Sequence, residues 1–277
     1  MARIQSIGFQ VEQILKEVYG IGQSKRERRQ ESGIRSVENG HQVSDLIHAY
    51  KTLSNSRNDL TNLGKFAKKE LGIKDMSKIS INEVRAWIAS KNITYETASN
   101  YLSEINKVEK RFDLTREEIK ELRAELSKTL KKSEKKTRYY ANLDKITVPI
   151  RSTPAFELQR DYGLRISPAT HINITKQLVG NMLSYQEKSG KWSHKEISKE
   201  LADKIRAEAK NGRYKMNQKT YDRDIQKAIE KTGQKWNGSH GMRHSFAQNQ
   251  LAAGKTKKEV SRMLGHKREE ITNVYLR

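Results

Sequence analysis

Between His41 and Leu130 the apolar residues recur at helical spacing almost without a break. Val43, Leu46, Ile47, Tyr50 and Leu53 mark one helix; Leu60, Leu63, Phe66 and Ala67 mark another. Ser80-Ile-Asn-Glu83 is a capping box that opens a helix through Val84, Trp87 and Ile88. Thr94 is placed to cap the next, which carries Ala98, Tyr101, Leu102 and Ile105. Thr115-Arg-Glu-Glu118 opens a last helix with Ile119, Leu122 and Leu126. Gly72 and Asn92 punctuate the run, and no strand pattern of comparable strength interrupts it. Residues 41–127 are therefore expected to form a domain of four or five helices.

The flanks differ. Ile7, Val11, Ile14, Leu15 and Val18 keep helical spacing, then give way to the charged stretch Gln23–Ser32. Residues 1–40 are expected to act as a basic arm able to follow a polyanion. Lys128, Lys131, Lys132, Lys135, Lys136 and Arg138 face only Glu134, so residues 128–144 read as a basic linker. From 145 to 277 the pattern is mixed. Phe156–Tyr162 reads as a helix ended by Gly163. Weak alternation over 172–195 around the turn Lys188-Ser-Gly-Lys191 predicts an antiparallel hairpin, although Ser193-His-Lys-Glu196 competes as a helix-opening capping box. Helices are expected through Leu201–Ala209, Tyr221–Thr232, Met242–Ala252 and Lys257–Leu264, the last opened by Thr256-Lys-Lys-Glu259 and closed by Gly265.

The chain has 277 residues, with 55 Lys+Arg against 33 Asp+Glu, a net charge of +22. Only 34% of residues are hydrophobic, and mean hydropathy is −0.90. No run approaches the roughly 18–20 apolar residues of a membrane span, and no signal-peptide core opens the chain. Cysteine is absent, which excludes disulfides, thiolate metal sites and cysteine nucleophiles. A cytoplasmic protein without membrane association is expected, with nucleic acid as its partner.

The chemistry-bearing residues cluster late. Ser239-His-Gly-Met-Arg-His-Ser-Phe-Ala247 is followed by Met263-Leu-Gly-His266 and Asn273-Val-Tyr275; upstream stands Asp161-Tyr-Gly-Leu-Arg-Ile-Ser167. Attack on a phosphodiester needs a nucleophile, cations on the non-bridging oxygens and a proton donor for the leaving oxygen. Arginine grips two phosphate oxygens with a planar fork. Tyrosine can attack if a base takes its proton, since free tyrosine has a pKa of about 10. His240 and His244 lie four apart on a helix, but the glutamate of a His-Glu-x-x-His zinc motif is missing, so no metal is expected.

The order Arg…Lys…His-x-x-Arg…Gly-His…Tyr resembles the tyrosine recombinase (phage integrase) family. Gly163-Leu-Arg165-Ile-Ser is similar to its first arginine box, and His240-Gly-Met-Arg243-His-Ser-Phe-Ala to its His-x-x-Arg box. Leu264-Gly-His266 and Tyr275 resemble the last two, and the segment Thr97-Ala-Ser-Asn-Tyr101 lies in a region like the family's core-binding domain. The resemblance spans roughly residues 41–277. It implies a mainly α chain: a SAM-like helical core-binding domain, then a mixed α/β catalytic domain over 145–277 with a small antiparallel sheet.

The resemblance also implies roles. Arg165 and Arg243 would clamp the scissile phosphate, His240 would assist proton transfer at the nucleophile, and His266 would hydrogen-bond a phosphate oxygen. Tyr275 would attack to give a 3′-phosphotyrosyl bond, with Lys188 or, second, Lys191 as general acid. No ATP, metal or other cofactor is implied. The partners implied are double-stranded DNA recombination sites, a homotetramer on DNA and accessory DNA-bending factors. Two departures stand out: Pro168 occupies a usually acidic position, and the sequence ends two residues after Tyr275, where the family commonly continues into a docking tail. Weak self-association away from DNA is expected in consequence. The implied function is site-specific recombination for a mobile element; a type IB topoisomerase-like enzyme and a non-catalytic DNA-binding protein are the alternatives.

Overall fold

The computed structural model describes residues 5–24, 27–28, 44–134, 138–187, 190–266 and 269–276. The chain divides into two compact units, Met1–Glu134 and Lys135–Arg277.

The first unit contains α1 (Ile7–Glu17), α2 (Tyr50–Glu70), α3 (Ile81–Ala89), α4 (Tyr95–Ile105) and α5 (Arg116–Thr129). Both expected capping boxes, at Ser80 and Thr115, are formed. Thr94 holds the N-cap position of α4 without a side-chain capping bond. Ile7, Val11, Ile14 and Leu15 of α1, together with Val18, are buried in the same core as Leu60, Leu63, Val84 and Leu102. Residues 7–18 thus belong to the helical unit rather than to an arm, because their apolar stripe needs a surface to cover it. Most of the charged stretch expected to follow lies outside the described residues. The helix expected over 43–53 is also corrected: Ile47 donates its N–H to the Val18 carbonyl at 2.7 Å and bridges Tyr19, so the helix starts only at Tyr50. One helix, α2, then covers the span read as two; Val43 lies outside the described residues.

The second unit runs α6 (Thr153–Tyr162), α7 (Ile166–Thr170), β1 (His171–Asn173), α8 (Ile174–Gln177), β2 (Leu178–Val179), β3 (Met182–Gln186), β4 (Trp192–Glu196), α9 (Lys199–Ala207), β5 (Arg213–Lys215), α10 (Gln218–Glu230), α11 (His240–Ala252), α12 (Lys257–Met263) and α13 (Glu269–Thr272). Two small antiparallel sheets form, β1 with β5 and β2-β3-β4. Ser193–Glu196 is strand and not helix: Tyr185 pairs with Ser193 and Ser184 with His194, and the next helix is capped by Ser198. Tyr140, expected within the linker, is buried in this unit, its N–H donating to Ser245 Oγ at 2.7 Å and its hydroxyl to the Gly238 carbonyl at 3.0 Å. A separate small core joins Phe246 and Ala247 of α11, Val260 of α12, Leu264 and Tyr275. That core fixes the chain end against the start of α11. Among the described residues no helix is long and apolar enough to cross a membrane.

Candidate active site

Three turns of chain converge on Arg243. It sits one turn into α11, on the face shared with His240, His244 and Ala247, as helical spacing requires. Its Nη1 donates to the Gly163 carbonyl, and its Nη2 donates to the Leu264 carbonyl and to His266 Nε2, the latter at 3.2 Å. Of the five N–H groups of a guanidinium this leaves Nε–H and one on Nη1; buried Nε has no partner among the described residues. Both carbonyls belong to helix ends whose turns need glycine nearby. Gly163 closes α6 at φ +64°, where a Cβ would sit 2.5 Å from the Phe246 ring. Gly265 follows α12 at φ +67°, and a Cβ there would overlap the Glu187 carboxylate.

Tyr275 is buried, with its hydroxyl 3.0 Å from His240 Nε2. Its ring is flanked by His244 at 4.7 Å and His266 at 5.0 Å between centroids, and the Arg243 guanidinium lies 5.6 Å from its centre. His266 Nδ1 lies 2.8 Å from Thr272 Oγ1. Since arginine can only donate, His266 Nε2 must accept, which puts the proton of the neutral ring on Nδ1, facing Thr272.

Burial above all, with Arg243 and Arg165 nearby, pushes the pKa of His266 down to about 4. Burial, then His244 and Arg243, pushes His240 down to about 4 as well. Both imidazoles are neutral at pH 7. Arg243 is lowered to about 10 by burial and by Arg165, and stays charged.

Arg165 stands at the N-terminal boundary of α7 and lines, with Arg243, a single cavity of about 490 Å³. Ser167, Pro168 and Glu187 line it too. Of the six expected site residues, His240, Arg243 and His266 each lie against Tyr275, and Arg165 shares Arg243's cavity. Lys188 lies outside the described residues. Lys191 is exposed in the connection between β3 and β4, where its carbonyl accepts the Glu187 N–H at 2.8 Å.

Three contributors escaped the sequence reading. Lys195 on β4 donates from Nζ to the Met263 carbonyl at 2.7 Å, and burial lowers its pKa to about 8, with Arg243 adding to the effect. Glu187 accepts from Ser193 Oγ at 2.8 Å at the cavity wall. Thr272 fixes the His266 tautomer. Only the alternate exposure along β4, with Trp192, His194 and Glu196 outward, could have marked Lys195 as facing inward.

The fold has relatives. The phage integrase family pattern matches residues 112–277, more than half of the chain. The XerH site-specific recombinase bound to a palindromic difH substrate superposes with a TM-score of 0.60 at 15% identity, covering 98% of this chain and 90% of that one. A lambda integrase dimer bound to a COC′ core site gives 0.59 at 18%, covering 83% and 72%. The Tn1549 transposon integrase in complex with transposon right-end DNA gives 0.57 at 13%, covering 99% and 95%. At such identities these likenesses speak for the fold. No curated protein sequence matches the chain. The family match over residues 112–277, with the fold and the ordered motifs, makes this chain a member of the phage integrase family, the site-specific tyrosine recombinases.

Proposed function

We propose that Tyr275 cuts duplex DNA by attacking a phosphodiester held between Arg165 and Arg243. The observation that carries this reading is the 3.0 Å contact between the Tyr275 hydroxyl and a neutral His240 Nε2. His240 accepts the phenolic proton as the Tyr275 oxygen bonds to phosphorus. The bond from phosphorus to the 5′ oxygen breaks, leaving a 3′-phosphotyrosyl ester and a 5′-hydroxyl once that oxygen is protonated. The family resemblance assigns that protonation to Lys188, with Lys191 second. The guanidinium of Arg243 faces the charge that gathers on the non-bridging oxygens. Arg243 is held by two carbonyls before the phosphate arrives, so little reorganisation is needed at the moment of reaction.

A 5′-hydroxyl from a partner duplex reverses the step: it attacks the phosphotyrosine, the Tyr275 oxygen leaves and recovers its proton, and strands are exchanged. The ester conserves the phosphodiester bond energy, so the cycle calls for no nucleotide hydrolysis. Exchange between two sites is assigned to a homotetramer on DNA, with the free chain monomeric and acting in the cytoplasm. Accessory bending factors would shape the DNA.

The test is a nicked suicide duplex, from which the 5′-hydroxyl strand diffuses away after cleavage. The native chain forms a denaturant-resistant protein–DNA adduct, and Tyr275→Phe forms none while still binding DNA. An adduct with Tyr275→Phe would remove Tyr275 as nucleophile.

A further inference from the structure

The Arg165–Arg243 cavity does not end at the active site. It shares His171 and Gln177 with a neighbouring cavity of about 330 Å³. That one shares Arg213, Tyr214 and Lys215 with a third of about 730 Å³, which reaches Lys210 and Arg151. The three form one trough along the β1–β5 ribbon. Its register explains the floor: His171 pairs with Lys215 and Asn173 with Arg213, so these four side chains share a face, while Ile172 and Tyr214 point into the core.

Arg213 and Lys215 are exposed, and neither they nor Lys210 have a side-chain hydrogen bond or carboxylate partner among the described residues. Elsewhere several arginines are neutralised: Arg57, Arg85, Arg111 and Arg116 each pair with a glutamate. Of the trough's acids, Glu187 lines the first cavity and accepts from Ser193 Oγ at 2.8 Å, and Glu208 lines the far one; Arg151 is already paired, with Asp224 at 3.1 Å. A row of unpaired cations leading out of the cavity that Arg165 and Arg243 line suits a ligand whose negative charges are strung along a line.

We propose that the trough over the β1–β5 ribbon carries the DNA strand continuous with the scissile phosphate, with Lys215, Arg213 and Lys210 meeting successive backbone phosphates. This rests on the strand-cleavage reading and adds the path of the strand to it. Such contacts read no bases and release counterions, so they show as salt dependence rather than as sequence preference.

The probe is a mixed-sequence duplex, with its affinity measured across a salt series. The Arg213→Gln/Lys215→Gln double variant is expected to lower the slope of log affinity against log salt by about two, about one per phosphate contact. Lys227→Gln/Lys231→Gln removes the same charge about 20 Å away, at the far end of α10, and is expected to keep the native slope. Arg213→Lys, which keeps the charge, also keeps it. An unchanged slope in the trough variant, or an equal change in the α10 variant, overturns the proposal. The two readings fail separately. An adduct from the native chain together with an unchanged trough slope removes the trough alone. A lowered slope without any native adduct keeps a nucleic-acid trough and removes strand cleavage.

Discussion

His240 Nε2 faces the Tyr275 hydroxyl at 3.0 Å, across 35 residues of chain, on an imidazole whose pKa burial holds near 4. A base is useful here only while unprotonated, and partial burial favours that form of His240, while Tyr275 is anchored in the small core of Phe246, Val260 and Leu264. His266, on the other side of Tyr275, has the same depressed pKa and a fixed tautomer.

These two histidines give acid sensitivity a definite sign. In the unfolded chain they titrate near 6.5, but in the folded unit only near 4. As pH falls from 6.5 to 4, the unfolded state takes up protons that the folded state refuses. Their contribution is therefore complete above pH 6.5 and lost progressively through that window. Urea unfolding at stepped pH should show this fall. Ring NMR should show both imidazoles neutral at pH 5.5; protonated rings at that pH would contradict it.

Arg243→Lys keeps a positive charge but cannot span the Gly163 and Leu264 carbonyls together with His266. Adduct formation should drop by about 10²–10³-fold. The melting temperature should fall as well, since a buried carbonyl left without a donor costs about 1–3 kcal/mol. Single-turnover cleavage and thermal melts measure the two effects independently.

Gly163→Ala should destabilise the catalytic unit by about 1–3 kcal/mol, because alanine resists the left-handed turn and its methyl meets Phe246. Combined with Phe246→Leu, the two penalties should be less than additive. A double-mutant cycle in urea reads that coupling directly.

Thr272→Val removes the acceptor for the Nδ1 proton of His266 while preserving shape. The ring is then free to place its proton on Nε2, against Arg243. Adduct formation should slow about tenfold, as when other oriented imidazoles lose their second partner. The nitrogen shifts of His266 should report the altered tautomer; native shifts with slowed cleavage would contradict this route.

The helices were legible where caps and apolar spacing agree, as at Ser80, Thr115 and Thr256, whose capping boxes all form. The pattern failed where tertiary contacts overrode it. Ile47 has helical spacing but bonds to the Val18 carbonyl, and Ser193–Glu196 has the letters of a cap but pairs with β3. β5, three residues long with only Tyr214 inward, is too short to carry a period. At the site, Arg165, His240, Arg243, His266 and Tyr275 could be named because resemblance selects them from among 55 basic residues and 11 tyrosines. Lys195, Glu187 and Thr272 could not, because each acts through a neighbour that only folding supplies.

Strand cleavage by this route requires the phenolic oxygen of Tyr275 to become bonded to DNA phosphorus. Trimming the suicide-duplex adduct with nuclease, digesting the protein and sequencing the modified peptide by mass spectrometry measures that bond. The predicted result is a nucleotide remnant on Tyr275 alone, carried through its 3′ phosphate. A remnant on any other residue, or one attached through a 5′ phosphate, would contradict the account.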